Sequence, residues 1–284
     1  MLDGFAVDLG GSKIAAARIT GGRLAARQQI ATDGDGDWQD QVAAMAALLD
    51  DLGFRSGDPL GVAVAGRVDR QGGWHAVNTG TLRAIAAAPL GPELALFFGP
   101  RARAINDAAA AALAEARVGA GQGADNFAFL TVSTGVGGGI VLGGRLVDSA
   151  SGLAGHVGFV GSRLGDGRCG SGRIGTVESV AAGRAIAAAA GVSDAREAFA
   201  DPGHTPIIDR SAAAVAALIA DLTTILGLDR VAIGGGIGLA DGYLDRVARH
   251  LSGEPPLFRP DLVRAALGHD AGLIGALIHA SEAP

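Results

Sequence analysis

The stretch DLGGSK, residues 8–13, lies where one predicted strand turns sharply into the next. Its glycines leave backbone N–H groups bare for phosphate oxygens, and Asp8 at the strand end can hold a metal or a metal-bound water against them. Taken alone, the stretch is equally typical of an ordinary hairpin turn, because short motifs have low specificity. Apolar runs and glycine pairs predict an antiparallel meander here, with strands over Phe5 to Asp8, Lys13 to Ile19 and Leu24 to Ile30.

A second stretch, TVSTGVGGG at residues 131–139, runs from a predicted strand into a turn rich in hydroxyl groups and glycine. Such a turn could clamp phosphates from the opposite side. Two glycine hairpins without a ligand are the alternative, but two such turns in one chain favour a nucleotide site. Lys13, the only lysine in the chain, either neutralises phosphate charge as a point donor or is a surface residue.

The rest of the chain alternates predicted strands and helices, which is typical of α/β layers. Further strands are predicted over Gly61 to Ala65, Ala102 to Ile105, Phe127 to Val132, Gly139 to Leu142, Arg145 to Val147 and Val231 to Ile233. Helices are predicted over Trp38 to Leu52, Asn106 to Ala116, Ser179 to Ala190, Ser211 to Leu226 and from His269 onward.

Both halves place a strand, a hydroxyl- and glycine-rich turn and a second strand in the same order. We therefore expect two related α/β lobes around a cleft. The first is predicted to comprise residues 1–105, joined by a C-terminal helix at about 270–284, and the second residues 106–269.

Asn106 and Asp107 open a predicted helix directly after a strand, which aims a carboxylate from the helix N-terminus into the predicted cleft. N-capping is the common alternative role for such residues. Phosphoryl transfer from ATP requires an aligned acceptor hydroxyl whose proton is taken late, and Asp107 is predicted to be that base. Asn106 would hydrogen-bond neighbouring hydroxyls of the acceptor. By spacing alone, either His156 or Glu178 could be structural, and a lone histidine is more often a core or surface residue than a ligand.

Composition excludes several classes of function. With 284 residues, 49% of them hydrophobic, the chain can bury a large core. Its net charge of -6, without a basic cluster, argues against a nucleic-acid partner. The single cysteine, Cys169, cannot form an intramolecular disulfide, so a cytoplasmic location is expected. The apolar runs are shorter than a membrane span and the first residues lack signal-peptide features, so we expect neither a membrane partner nor export.

A series of motifs carries a family resemblance from one end of the chain to the other: DLGGSK, INDA, FLTVSTGVGGGIV, GLAGHVG, VESVAAGRAIAAAA, GGGIGLADGYL and HDAGLIGAL. Together they resemble the ROK family, and within it the bacterial N-acetylmannosamine kinases. The resemblance implies a two-lobed actin/hexokinase-type (ribonuclease H-like) ATPase fold with a central cleft. It implies phosphorylation of N-acetylmannosamine at the 6-hydroxyl by ATP and Mg²⁺, in sialic acid catabolism, and a homodimer.

The resemblance also implies roles for individual residues. The glycine turns and a third glycine cluster would bind ATP: Asp8, Gly10, Gly11, Lys13, Thr134, Gly135, Gly137, Gly234, Gly235 and Gly236. Asp107 would be the catalytic base. The sugar would be bound by Gly66, Asn78, Asn106, Asp107, His156 and Glu178.

The family's structural zinc site is degenerate in this chain. Its histidine matches His156, but the cysteine frame C-x-C-G-x-x-G-C retains Cys169 and has Ser171 and Thr176 in place of the other cysteines. A hydroxyl is a poor substitute for a thiolate, and structural zinc requires all four ligands. We therefore predict no structural zinc. Hydrogen bonds from the two hydroxyl residues, with packing by Ile174 and Val177, are expected to hold the loop instead.

Other functions are compatible with parts of this pattern. Another ROK hexose kinase, such as a glucokinase or an N-acetylglucosamine kinase, would use the same machinery. The motifs do not distinguish these enzymes, because the binding free energies of epimeric sugars differ by only a few kcal/mol. Leu153, where many ROK kinases carry an acid, favours the mannosamine subgroup, which resembles this chain in reading GLAGH. A ROK transcription regulator would carry a helix-turn-helix ahead of the first strand, which begins within five residues of Met1. A non-catalytic sugar-sensing protein is disfavoured by Asp107 and both phosphate turns.

Overall fold

Short apolar runs form twelve strands in the part of the chain that the computed structural model describes, residues 2–77 and 82–282. The strands are β1 (Gly4–Leu9), β2 (Lys13–Thr20), β3 (Arg23–Ala31), β4 (Leu60–Val64), β5 (Arg67–Val68), β6 (Trp74–His75), β7 (Ala102–Asn106), β8 (Asn126–Val132), β9 (Val136–Leu142), β10 (Arg145–Leu146), β11 (Arg230–Gly234) and β12 (Asp261–Arg264). The α-helices of the same residues are α1 (Trp38–Asp51), α2 (Leu90–Phe98), α3 (Asp107–Val118), α4 (Glu178–Ala181), α5 (Gly183–Ala190), α6 (Ala195–Ala200), α7 (Thr205–Leu226), α8 (Gly235–Gly238), α9 (Tyr243–Leu251) and α10 (Ala271–Glu282).

The first of two compact units is built on a five-stranded sheet in the order β3-β2-β1-β4-β7. β1, β2 and β3 are antiparallel, whereas β4 and β7 run parallel to β1. β4 is buried along its whole length, as expected of a central parallel strand. Gly61 allows α10 to lie directly on this strand, because a Cβ there would be 2.0 Å from the Ala276 carbonyl carbon.

The second unit contains a sheet in the order β10-β9-β8-β11-β12. Its first three strands are antiparallel and its last two are parallel to β8, which is the arrangement of the first unit's sheet. The buried face of α7, with Val215 and Ile219, shares one hydrophobic core with Leu130 of β8 and Ile233 of β11. The repeated plan that the sequence predicts is therefore present in the two sheets.

Most predicted elements occur within a few residues of their predicted bounds, but one predicted helix is broken. Residues 179–190 form parts of α4 and α5, because Ala182 is extended, with φ -64° and ψ 148°. This break directs the N–H of Gly183 onto the carbonyl oxygen of Ser133, 2.7 Å away. The elements that were not predicted from the sequence are β5, β6, β12, α2, α6, α8 and α9.

The two units differ in their bounds from the predicted lobes. The chain passes from the first unit to the second within α3, between Ala114 and Glu115, rather than at residues 105–106. The segment Asp148–Ala154 groups with the first unit, as does the chain from His269 onward. Within residues 2–77 and 82–282, each helix is too short or too polar to span a bilayer.

Candidate active site

Asp8 is a half-buried acid on the central strand β1 of the first unit. Its carboxylate faces the first turn of α10, since a Cβ added at Gly272 would lie 3.3 Å from Oδ2. Burial raises the pKa of Asp8, while the nearby charges of Lys13 and Arg27 lower it. The sequence singled out Lys13, but Arg27 lies in the middle of β3, where no local motif marks it.

The turn after Asp8 is closed by its own backbone. The N–H of Gly10 donates to the carbonyl oxygen of Lys13 at 3.0 Å, and the Thr32 hydroxyl donates to the carbonyl oxygen of Gly10 at 2.8 Å. The expectation of a bare N–H group is therefore wrong for Gly10, because that group makes the hairpin's closing bond. Gly11 lies next to it at the tip of the turn.

Asp107 is the first residue of α3, directly after β7, as the sequence predicts. Its Oδ1 accepts hydrogen bonds from the backbone N–H of Ala108 at 2.8 Å and from the Asn106 amide at 2.9 Å. The pKa of Asp107 rises to about 7, first because the carboxyl is removed from water and second because the charge of Asp8 is close. A divalent cation bound beside Asp8 and Asp107 would relieve the repulsion that Asp8 exerts on Asp107, which fits Mg²⁺.

Asn106 caps α3, which is one of the two roles that the sequence left open, and it also contacts Asp107; its contact with acceptor hydroxyls stays a prediction. Its side-chain oxygen accepts the N–H of Ala109 at 2.9 Å, which is N-capping of α3. Its amide nitrogen donates to Asp107 and also to the carbonyl oxygen of Gly66, at 2.7 Å. One side chain thus fixes the orientation of the acid and ties it to the loop after β4.

Position 66 requires glycine for two reasons. Its φ is +105°, and a Cβ there would lie 2.5 Å from the carbonyl oxygen of His75. The hairpin of β5 and β6 is further fixed by Trp74, which is fully buried and donates its indole N–H to the Ala65 carbonyl oxygen at 2.9 Å. Asn78, the other residue predicted in this region, lies outside the described residues.

In the second unit, the turn between β8 and β9 carries Thr134 and Gly135. The turn is closed by the Ser133 N–H, which donates to the Gly135 carbonyl oxygen at 2.9 Å. The first residue of α5, Gly183, donates to the Ser133 carbonyl oxygen. Gly137 pairs with Thr131 across the hairpin. The turn is therefore held both from within and by a helix.

The third glycine cluster forms the end of β11 and the start of α8. A Cβ at Gly235 would lie 2.4 Å from the Val132 carbonyl oxygen, so α8 begins in direct contact with the end of β8. A Cβ at Gly234 would meet the Phe129 ring at 2.7 Å. Gly236 lines a cavity next to the hydroxyl turn.

That cavity has a volume of about 340 Å³ and lies within the second unit. Its walls come from the turn after β8, from α5, from the start of α6 and from α8: Ser133, Thr134, Gly183, Arg184, Ala187, Ser193, Asp194, Ala195, Arg196, Gly236 and Ile237. The volume falls within the range of small-molecule sites. Apolar walls with hydroxyl, carboxylate and guanidinium groups fit a nucleoside. Sequence reasoning found Thr134 and Gly236 but missed Arg184 and Asp194, which belong to no phosphate motif.

Glu178 is buried at the start of α4, with 7% of its surface exposed. Its Oε2 accepts the backbone N–H of Val136 at 3.1 Å, and its Oε1 accepts the N–H of Gly170 at 3.0 Å. His156 begins a short 3₁₀ turn and stacks on Phe159, with ring centroids 5.9 Å apart. Both predicted residues thus lie in the second unit, on segments adjoining the β8–β9 hairpin.

The loop that matches the degenerate zinc frame offers the wrong ligands for zinc. The Cys169 thiol lies 3.1 Å from the Ser171 hydroxyl, and Thr176 is fully buried. Burial raises the pKa of the thiol, but hydrogen bonds with these two hydroxyl residues outweigh that effect and lower it. One thiol with two hydroxyls does not fit a tetrahedral zinc site.

The expected substitute for zinc is only partly correct. Ser171 and Thr176 do contact Cys169, and Val177 is buried. Ile174, however, is 63% exposed, so its predicted packing role is wrong. The reason is its position at the loop edge, where it bridges to Arg168 through the backbone.

The family match and the relatives of similar sequence point to the same group of proteins. Residues 4–283 match the ROK family. The chain is 39% identical over 280 residues to the N-acetylmannosamine kinase of Haemophilus influenzae strain Rd, covering 95% of this chain and 93% of the relative. It is 40% identical over 283 residues to the N-acetylmannosamine kinase of Pasteurella multocida strain Pm70, covering 95% and 94%.

Comparison with solved structures agrees. The ROK hexokinase of Thermus thermophilus superposes with a TM-score of 0.80 at 34% identity, covering 97% of each chain. A ROK family glucokinase of Streptomyces griseus, solved with glucose and AMPPNP, gives 0.81 at 28% identity, covering 99% of this chain and all of the other. These likenesses confirm the predicted hexokinase-like α/β fold.

Proposed function

The chain belongs to the ROK family, and we propose that it transfers the γ-phosphoryl group of ATP to the 6-hydroxyl of N-acetylmannosamine, in sialic acid catabolism. It is a sugar kinase, as its near full-length relatives are. The observation that carries the proposal is the carboxyl of Asp107, held at the start of α3 with a pKa of about 7. A base with that pKa is partly ionised at neutral pH and can still accept a proton readily.

In this proposal the sugar hydroxyl gives its proton to Asp107 as its oxygen forms a bond to the γ-phosphorus. The bond between that phosphorus and the bridging oxygen breaks, and ADP leaves. Asn106 orients the acid, because its amide donates to Oδ1 and leaves Oδ2 to receive the proton. Bound Mg²⁺ would be held by Asp8 together with phosphate oxygens and would neutralise charge on the transferred group.

We assign the nucleoside of ATP to the cavity lined by Thr134 and Gly236, and its phosphates to the turn at Thr134 and Gly135. The assignment is supported by the cavity's size and its mixed lining. The nucleotide analogue in the Streptomyces griseus glucokinase gives further support. A cytoplasmic location accords with the need for ATP, and the homodimer stays a prediction.

N-acetylmannosamine is proposed as the acceptor because the sequence relatives named above carry that activity in their names. Leu153, within GLAGH, is consistent with this subgroup. Glucose is the second candidate, because the Streptomyces griseus relative was solved with it. His156 and Glu178 are proposed to contact the sugar.

The proposal is tested by identifying the product. We expect purified protein, incubated with ATP, Mg²⁺ and N-acetylmannosamine, to yield a sugar whose phosphorus couples to the two C6 protons in ³¹P–¹H correlation NMR. A reaction without Mg²⁺ and one with heat-denatured protein are the controls. Phosphate on another oxygen, or no phosphorylated sugar, would contradict the proposal.

A further inference from the structure

One carboxylate connects two segments that the proposed function treats separately. Glu178 accepts the N–H of Val136 with one oxygen and the N–H of Gly170 with the other, at 3.1 and 3.0 Å. Val136 directly follows the turn at Thr134 and Gly135 to which the phosphates are assigned, called the phosphate turn below, and it lies 42 residues from Glu178 in sequence. Gly170 lies within the loop of residues 168–176, which matches the zinc frame. A single side chain therefore joins the turn to the loop.

The contact with the turn is close. A Cβ added at Gly135 would lie 2.7 Å from Oε2 of Glu178, so the carboxylate occupies the space that any larger residue would need. On its other side the turn is fixed by the N–H of Gly183, which donates to the Ser133 carbonyl oxygen at 2.7 Å. The position of Thr134, which lines the cavity, is thus set by α5 and by Glu178.

The loop carries mainly internal bonds around Cys169. The N–H of Cys169 donates to the Arg173 carbonyl oxygen at 2.8 Å, and the carbonyl oxygen of Cys169 accepts the N–H of Gly172 at 3.0 Å. The bond from Gly170 to Glu178 differs, because it attaches the loop to the start of α4. Hydrogen bonds to an ionised acceptor are about twice as strong as neutral ones, so this attachment is substantial.

We propose that Glu178 is a positioning residue that fixes the phosphate turn to the 168–176 loop, so that nucleotide affinity depends on it even when no sugar is bound. The inference rests on the proposed function, which assigns phosphate binding to that turn. It adds a second role to the sugar contact proposed above. Binding of sugar beside the carboxylate would then be coupled to the nucleotide through one rigid group.

Glutamine is the informative replacement. It keeps the length of Glu178 but can accept at only one oxygen, so its NH₂ group would face one of the two backbone donors. An unsatisfied buried donor should weaken ADP binding by about tenfold. Glu254→Gln, which changes the same functional group outside the site, is the matched control.

The experiment measures ADP affinity by calorimetry without sugar, and amide hydrogen exchange by mass spectrometry. In Glu178→Gln we expect an ADP Kd raised about tenfold and faster exchange in the peptides that contain Val136 and Gly170. Glu254→Gln should match the wild type in both. If Glu178→Gln raises only the KM for the sugar, with ADP affinity and exchange unchanged, Glu178 is a sugar ligand alone and the inference is overturned.

Glu178→Asp carries the test if the glutamine variant does not fold. It keeps the charge but is shorter by one methylene, so it can reach one backbone donor and not both. We expect faster exchange in at least one of the two segments and weaker ADP binding, and wild-type values for both overturn the inference. Wild-type protein that binds no ADP would refute the proposed function and the inference together. ADP binding that is equal in the wild type and both variants would refute the inference alone.

Discussion

Asp107 owes its basicity to its neighbours. Removal from water and the charge of Asp8 raise its pKa to about 7, whereas the bonds from Asn106 and Ala108 act in the opposite direction. The same bonds hold Oδ1, so the acid is oriented before substrate arrives. A carboxyl that only capped a helix would gain nothing from a raised pKa.

Replacing Asp107 by Asn tests this role. Asn cannot take the hydroxyl proton, so kcat should fall by about a thousandfold, while the Kd for the sugar should change little because size and polarity are kept. ADP release and calorimetry measure the two quantities. Asp221→Asn, an exposed change on α7, should leave both at wild-type values. Near-normal turnover in Asp107→Asn would mean that another group is the base.

The raised pKa of Asp107 also predicts a pH dependence. Only the ionised carboxylate can accept the proton, so kcat/KM should fall as the pH drops below about 7. A bound divalent cation would stabilise the carboxylate and move the midpoint somewhat lower. The profile from pH 5 to 9, measured by ADP release, checks this. A rate that is flat across that range would show that no such base limits the reaction.

The first three strands were predicted well from the sequence, and the break between α4 and α5 was not. β1 to β3 lie at their predicted places because glycine pairs mark their turns. Residues 179–190 are rich in helix-forming alanines, and Gly183 is a weak local signal against one continuous helix. The break depends on the bond from Gly183 to Ser133, between segments far apart in sequence.

The composition of the loop of residues 168–176 leads to a prediction about bound metal. One thiol and two hydroxyls form a poor zinc site, so protein purified without chelator should contain well under one equivalent of zinc. Metal analysis by mass spectrometry measures this. EDTA, removed before assay, should leave the Tm unchanged, because hydrogen bonds of Cys169, Thr176 and Glu178 fix the loop. One equivalent of tightly bound zinc, lost together with stability, would contradict the prediction.

Across the whole molecule, two sheets with the same strand arrangement carry the residues proposed for catalysis and for nucleotide binding. Asp107, the proposed base, and Asp8 lie in the first unit, and the cavity proposed for the nucleoside lies in the second. The ordered motifs were sufficient to predict this fold and its turns. They could not show that Glu178 binds two backbone groups, because the donors come from segments that meet only after folding.

Sugar preference is the least predictable property of the chain. N-acetylmannosamine and N-acetylglucosamine are epimers, and a difference of one orientation changes binding by only a few kcal/mol. The difference in binding between the two sugars depends on the shape of the sugar pocket, which no single motif determines. Leu153 and the names of the relatives favour N-acetylmannosamine.

The most direct test is a coupled ADP-release assay that compares kcat/KM for N-acetylmannosamine, N-acetylglucosamine and glucose, with ATP and Mg²⁺ in excess. We predict that N-acetylmannosamine is preferred over both other sugars by at least about tenfold. A higher kcat/KM for glucose or N-acetylglucosamine would contradict the assigned substrate, and absence of ADP release with all three would contradict the kinase assignment itself.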